Sequence, residues 1–376
     1  MLAGKVPEEV IPFVYGASLF ALSKANADVR PIAIGCVYRR LVGKIAARFG
    51  FSQLKDHFYP HQMGVGAPKG AEAIVHTVRN RLQSDLENNT SFFMLKIDFE
   101  NSFNTVRRDV VLCEMKTLAP RLFLFMWQLY SSSTNLFYGE QVILSAEGMQ
   151  QGDPLGPLGF SLAINGLITK LKSDLNCWYL DDGCLLGRPQ DVQDDFETIL
   201  KNQDNIGLAV NPTKCEIFDP FSVRNDRLDV FKTARVLSTA NATLLGSPLF
   251  SDSATCVFLE KLQEMKTFVR RLTDLDSHYA FYLLKNCFSL PKFLYILRCF
   301  PFYDCPQLLL QFNDLQRESI EYILNCSLSQ TRTNNVSFLC VLEAWAFAGL
   351  LALLCQSSLL PVIASQKQCQ IFYTNT

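Results

Sequence analysis

Trp178-Tyr179-Leu180-Asp181-Asp182-Gly183 is the stretch on which the reading of this chain turns. Apolar residues flank it, at 175–180 and at 184–186, so it reads as two short strands meeting at a turn. Two adjacent carboxylates in a turn are ordinary by themselves, because Asp tolerates unusual backbone angles and Gly supplies positive φ. A third carboxylate, Asp98, ends a separate strand-like run, Phe92-Phe93-Met94-Leu95-Lys96-Ile97-Asp98. Three carboxylates gathered from two strand ends repel one another unless a divalent cation sits among them. Mg²⁺ takes oxygen ligands, uses one or two carboxylates and leaves the rest of its shell to water and substrate phosphates. Two such ions ~4 Å apart are the usual clamp for in-line displacement at phosphorus.

A length of 376 residues suffices for two or three lobes. With 49% hydrophobic and 19% charged residues, the composition is that of a folded protein and not a disordered one. The net charge of −1 argues against a protein that simply coats nucleic acid, although a local basic groove is enough to track phosphates. The 13 cysteines are scattered, with neither a Cys-x-x-Cys pair nor zinc spacing. With no secretory segment at the amino terminus, they fit a reducing intracellular compartment, nucleus or cytoplasm being undecided. The apolar stretch 344–355 is 12 residues long, short of the ~20 needed to span a bilayer, and reads as a buried helix, so no membrane partner is expected.

Positive charge concentrates between Lys24 and Arg48, where six basic residues face only Asp28. Residues 18–22 and 29–34 read as strands around a turn at 26–28, which sets Lys24 and Arg30 on neighbouring strands facing a phosphate chain; a solvated basic edge is the other reading. A helical pattern runs over 37–49, and a glycine-rich break at 64–70 leads into a helix at 71–86. That break is a plain loop, since it lacks the Gly-x-x-x-x-Gly-Lys-Ser/Thr pattern. Helices are expected at 106–118 and 121–130, on either side of Pro120. In Gly148-Met149-Gln150-Gln151-Gly152-Asp153-Pro154, Asp153 and Pro154 read as the N-cap and first residue of a helix continuing through 160–171. The glycine loop ahead of it presents amides of the kind that hold phosphate or a nucleobase. Residues 191–207 read as a helix, and Lys214 as the start of a strand running to Phe218. The order strand, helix, hairpin, helix, strand over 92–218 fits a split βαβ sheet with helices on one face. Residues 244–249 form a short strand or hairpin, and beyond 253 the chain is almost wholly helical, with Lys261, Lys266, Arg270, Arg271 and Lys285 able to lie along a duplex backbone.

Arg30-Pro31-Ile32, Lys96-Ile97-Asp98-Phe99, Gln151-Gly152-Asp153-Pro154-Leu155, Tyr179-Leu180-Asp181-Asp182 and Asn211-x-x-Lys214 resemble, in order and spacing, the motifs of reverse transcriptases. The likeness is nearest to the enzymes of non-LTR retrotransposons (LINE-like elements) and runs from about residue 24 to 249, more loosely to 301. It implies an α+β right-hand polymerase fold. Fingers would occupy 1–91, a ferredoxin-like split βαβ palm 92–252 with a fingers-associated insertion at about 120–150, and a helical thumb and carboxyl-terminal region 253–376. It implies an RNA-directed DNA polymerase, a nucleotidyltransferase that adds deoxynucleotides to a primer 3′-hydroxyl by a two-metal mechanism. The cofactor would be Mg²⁺, as two ions, with Mn²⁺ able to replace it. The partners would be an RNA template, a DNA primer, dNTPs and a separate endonuclease.

Carried over residue by residue, the resemblance implies that Asp98, Asp181, Asp182 and the carbonyl of Phe99 hold the metals. Lys214 would be the general acid toward pyrophosphate, and Lys24 and Arg30 would contact the triphosphate. Gln151 and Gly152 would line the base and sugar, and Phe103 would bar a ribose 2′-hydroxyl. Leu245 and Gly246 lie in the segment matching the primer grip. Phe103 also reads simply as a core residue of the following helix. Two other functions stay open: a catalytically silent nucleic-acid-binding remnant, against which the three intact carboxylates speak, and an RNA-dependent RNA polymerase, against which the size of Phe103 speaks.

Overall fold

The computed structural model describes residues 1–23, 29–222, 231 and 233–327. Lys24 and the stretch 344–355 lie outside the described residues. The described chain divides into two compact units, one of residues 1–71 and 90–236, the other of residues 72–89 and 237–327.

In chain order the first unit carries α1 (Ile11–Val14), β1 (Ala17–Ser23), β2 (Val29–Gly35) and α2 (Val37–Phe58). The helix α3 (Gly70–Glu87) follows and lies almost wholly in the second unit. The chain returns to the first unit through β3 (Phe93–Ile97), α4 (Ser102–Thr105), α5 (Arg108–Leu118), α6 (Pro120–Tyr130), β4 (Thr134–Tyr138), β5 (Gln141–Ser145) and α7 (Gly156–Ile168). It continues as β6 (Leu175–Tyr179), β7 (Asp182–Gly187), α8 (Pro189–Asn202), β8 (Glu216–Phe218) and β9 (Arg235–Val236). Proline in the first turn of α6, α7 and α8 marks where each can start, since the missing N–H is one that no helical carbonyl would accept.

Five strands form one sheet in the order β6-β7-β3-β8-β9. β3 is antiparallel to β7 and to β8, and β6 is antiparallel to β7. With helices inserted between β3 and β6 and again between β7 and β8, this is the split βαβ arrangement expected from the sequence. β3 lies at the centre, and its apolar run is buried apart from Lys96, as suits an inner strand with neighbours on both sides. Phe93, Leu95 and Ile97 join Phe160, Ile164, Phe196 and Ile199 from the helices in one core.

A second sheet, in the order β2-β1-β4-β5, has β1 and β2 as an antiparallel hairpin and β4 parallel to β1. The β4–β5 hairpin has no counterpart among the strands expected from the sequence. Val142, Ile143 and Leu144 of β5 are all exposed, so the alternation of inner and outer residues that betrays a half-buried strand is missing.

The helix after the glycine loop starts at Gly156 rather than at Pro154, and ends at Ile168. Asp153 still accepts a hydrogen bond from Leu155 N–H at 2.8 Å, but its other oxygen is taken by a buried arginine, which holds the chain in a turn for two more residues. The expected helix 191–207 is α8 followed by a 3-10 turn, closed by Gly207 in the left-handed region. Lys214 precedes β8 instead of beginning it.

The second unit packs α3 with a short hairpin, β10 (Thr243–Leu244) and β11 (Ser247–Pro248), and with four helices, α9 (Ser251–Leu272), α10 (Ser277–Leu283), α11 (Leu290–Cys299) and α12 (Pro306–Leu324). Phe258, Phe293, Phe302 and Phe312 form its own aromatic core. α3 is joined to the end of α11 by His76 and Arg79, which bond the carbonyls of Arg298 and Cys299. No helix among the described residues is long and apolar enough to cross a membrane.

Candidate active site

The sheet brings the three carboxylates to one end. Ile97 pairs with Gly183, so Asp98, one residue past β3, comes alongside Asp182 at the start of β7. Tyr179 pairs with Asp182, leaving Leu180 and Asp181 as the two residues of the turn. Leu180 has φ +57°, a left-handed conformation that costs an L-residue about 1–2 kcal/mol. Gly183 is required by close approach: a Cβ there would lie 2.6 Å from the ring of Trp178. Trp178 is fully buried and stacks at 6.1 Å on Phe99, which fixes the residue after Asp98 from below.

Residues 98–100 are held by the chain that follows α8. Asn211 N–H donates to the Asp98 carbonyl at 2.8 Å, and Glu100 N–H donates to the Ala209 carbonyl at 2.8 Å. The turn carrying Lys214 thus hangs from the backbone of Asp98. Lys214 N–H and Cys215 N–H both donate to the Asn211 carbonyl, and Lys214 is exposed.

Ser102 donates to Asp181 Oδ2 at 2.5 Å. Asp182 is exposed at the rim, yet its carboxyl is pushed up to about 6, first by desolvation and then by the negative charges of Asp181 and Asp98, with Lys96 opposing. Lys96 is itself engaged by Glu216, which also meets Arg235 at 3.4 Å. All the donors at this edge are hard oxygens. Among the described residues no three or more His, Cys, Asp or Glu side chains form a finished ligand set. Carboxylate and carbonyl oxygens are the kind of donor that Mg²⁺ takes, one or two carboxylates at a time, with the rest of its shell from water and phosphate.

Phe103 lies in α4, half-buried, with its ring stacked on Phe160 at 4.7 Å and 17°. Its carbonyl accepts from Met149 N–H at 2.6 Å, joining α4 to the glycine loop. The Gln151 carbonyl accepts from Ala33 N–H at 2.7 Å, joining that loop to β2, the strand that carries the exposed Arg30. A cavity of about 310 Å³ opens between them, lined by Leu19, Pro31, Ala33, Asn104, Gln150 and Gln151 among others; Asp98, Asp181 and Asp182 are not part of its wall.

Beneath the loop Arg39 is 2% exposed and donates to Asp153 Oδ2 at 2.6 Å and to the Tyr15 and Gly16 carbonyls. The Tyr130 hydroxyl donates to the same Asp153 oxygen at 3.0 Å. Leu245 and Gly246 belong to the second unit, where both have positive φ in the β10–β11 turn and the Tyr295 hydroxyl donates to the Leu245 carbonyl at 2.8 Å.

The fold therefore assembles Asp98, Phe99, Asp181, Asp182 and the Lys214 turn at one edge, and Phe103, Gln151, Gly152 and the strand of Arg30 around the glycine loop. Ser102 and Arg39 carry no site signal in the sequence, and Lys96 stands there only as a member of the motif around Asp98. Ser102, four residues after Asp98 at a helix start, reads from sequence as a helix-cap residue, and nothing in its neighbourhood in the chain points to Asp181.

A family model described as reverse transcriptase (RNA-dependent DNA polymerase) matches residues 22–249. No curated protein matches the sequence. Among solved structures, apo telomerase from Candida tropicalis is 11% identical, with a TM-score of 0.49 over 91% of this chain and 67% of that one. Telomerase from Candida albicans, in complex with a TWJ fragment of telomeric RNA, is 12% identical, with a TM-score of 0.45 over 91% and 66%. A Candida tropicalis apo telomerase truncated of its C-terminal domain is 12% identical, with a TM-score of 0.44 over 58% and 52%. The chain thus spans between about half and two thirds of the length of these telomerases.

Proposed function

The chain belongs to the reverse transcriptase (RNA-dependent DNA polymerase) family, with its α+β right-hand polymerase fold, and from that membership we propose an RNA-directed DNA polymerase that extends a primer 3′-hydroxyl with deoxynucleotides. The mechanism is a two-metal one, and the enzyme is of the non-LTR retrotransposon kind. The observation that carries the activity is the meeting of Asp98, Asp181 and Asp182 at one end of the sheet, where desolvation first, and then the charges of Asp181 and Asp98, push the Asp182 carboxyl up to about 6. The non-LTR assignment rests on the five sequence motifs.

In this reading Asp98, Asp181, Asp182 and the Phe99 carbonyl hold two Mg²⁺ ions, or Mn²⁺ in their place. Metal bound there would supply Lewis acidity toward the primer hydroxyl and charge neutralisation for the leaving pyrophosphate. Lys214, on the turn suspended from the Asp98 carbonyl, protonates the leaving group. Arg30, with Lys24, binds the triphosphate. Gln151 and Gly152 line base and sugar on a loop fixed from below by the Arg39–Asp153 pair. The Phe103 ring, held against Phe160, excludes a 2′-hydroxyl. Leu245 and Gly246 grip the primer. The fingers are residues 1–91, the palm 92–252 with the insertion at about 120–150, and the thumb and carboxyl-terminal region 253–376. RNA template, DNA primer and dNTPs are the substrates, and a separate endonuclease supplies the nick.

Primer extension on an annealed RNA template with Mg²⁺ tests this, comparing deoxy- with ribonucleotides and the intact chain with Asp181→Ala. The expected result is extension with deoxynucleotides alone, lost in the variant. Extension by Asp181→Ala at the unmutated rate, or none by a folded chain that binds the hybrid, overturns the reading. Extension with ribonucleotides moves the protein to RNA-dependent RNA synthesis.

A further inference from the structure

The turn that carries Asp181 and Asp182 is held from outside the sheet. Gln62 is 1% exposed, and its side-chain amide meets Leu180 edge to edge. Gln62 Oε1 accepts from Leu180 N–H at 2.8 Å, and Gln62 Nε2 donates to the Leu180 carbonyl at 2.9 Å. The same Oε1 accepts from Gly64 N–H at 3.1 Å. Leu180 is the first residue of a two-residue turn, where neither backbone group belongs to a ladder pair, and it stands at φ +57°. One side chain thus satisfies both backbone groups of the residue whose conformation aims Asp181.

The segment around Gln62 is docked by its own backbone, so the amide arrives in a fixed place. Met63 N–H donates to the Trp178 carbonyl and Trp178 N–H to the His61 carbonyl, both at 2.7 Å, and Gln62 bridges Trp178 in parallel. Gly64 permits the approach, since a Cβ there would lie 2.6 Å from Leu180 N. Only a primary amide of this length offers a donor and an acceptor side by side. Glutamate would set oxygen against the Leu180 carbonyl, and methionine would fill the space while bonding neither group.

We propose that Gln62 is a positioning residue for the catalytic carboxylates, its side-chain amide fixing Leu180 in the left-handed conformation and so setting Asp181 and Asp182 against Asp98. The catalytic part of this statement rests on the polymerase reading above, while the clamp itself does not. Gln62 touches neither metal nor nucleotide in this scheme. Its loss therefore acts on the rate of the chemical step and on cation affinity, and leaves nucleotide recognition at Gln151 and Phe103 in place.

Amide hydrogen exchange on the full chain tests the clamp without any need for activity. In the unmutated protein the Leu180 amide exchanges as slowly as the β6 and β7 amides, and in Gln62→Met that protection is lost while β3 stays protected. Loop-like exchange at Leu180 in the unmutated chain, or retained protection in Gln62→Met, overturns the proposal. The first of these needs no variant to fold. Primer extension by Gln62→Met then shows kcat lower by on the order of 10²-fold, with KM for dNTP within about twofold of the unmutated value. Its half-saturating Mn²⁺ concentration rises. An unchanged kcat and cation requirement overturns the positioning role. An unmutated chain that protects Leu180 but extends no primer contradicts the polymerase reading and leaves the clamp standing.

Discussion

Two acidic sites in the first unit are built on opposite principles. Asp153, beneath the glycine loop, is buried and answered on every side, by the Arg39 guanidinium, the Tyr130 hydroxyl and Leu155 N–H. Asp182, at the rim of the sheet, faces two further carboxylates, and its proton affinity is raised. A charge that the fold neutralises internally is a structural part. A cluster in which like charges still raise one member's proton affinity is, on the proposed reading, where a cation would bind. The two sites should therefore respond oppositely when their acids are removed.

The largest effect is expected on activity. Asp181→Ala should lower single-nucleotide incorporation by on the order of 10³-fold or more, as loss of a metal ligand worth several kcal/mol would, with the fold intact by circular dichroism. At the other site the loss should fall on stability. Asp153→Ala strands the Arg39 charge in the interior and should cost about 3–5 kcal/mol, read as a fall of roughly 10 °C in the thermal midpoint. If Asp153→Ala were neutral in stability and silent in folding, the contrast between the two sites would collapse.

A smaller effect is expected at Ser102, whose hydroxyl orients Asp181. Ser102→Ala should weaken cation affinity by about tenfold, measured as the half-saturating Mn²⁺ concentration for extension, because an outer partner of a ligand is removed and the ligand is not. The smallest effect should have the opposite sign. In the cation-free chain the Asp182 carboxyl holds its proton up to about pH 6, above its ordinary range, so ionising it opposes folding as the pH rises through that value. Asp182→Asn should raise the thermal midpoint at pH 7.5, by no more than about 2 °C given the exposure of the group. The gain should shrink as the pH falls from 6 toward 4, where Asp182 is itself protonated. A stability loss at pH 7.5 that persists at pH 4 would mean that Asp182 is held by partners, as Asp153 is.

What the sequence revealed divides along the same line. Asp181 and Asp182 stand out because a charged pair interrupts two apolar runs, and Asp98 because it ends a third; local pattern alone places them on strand ends. The motif order added the Lys214 turn and the glycine loop. Asp153 looked like a helix cap, since Asp-Pro before an apolar helix is a strong local signal, and its long-range partner Arg39 decided its actual role. Gln62 and Ser102 carry no local signal for the same reason: each acts on a residue 79 or more positions away, and no nearby pattern marks such a contact. The β4–β5 hairpin carries none because its exposed apolar residues show no alternation.

The most direct measurement is a calorimetric titration of the full chain with Mn²⁺ at pH 7.5 and at pH 5.5, set beside Asp181→Asn at both. The account predicts saturable binding at pH 7.5 that weakens at pH 5.5, as protons compete at Asp182, and that is lost in the variant. Binding of equal strength in the unmutated chain and in Asp181→Asn would contradict it.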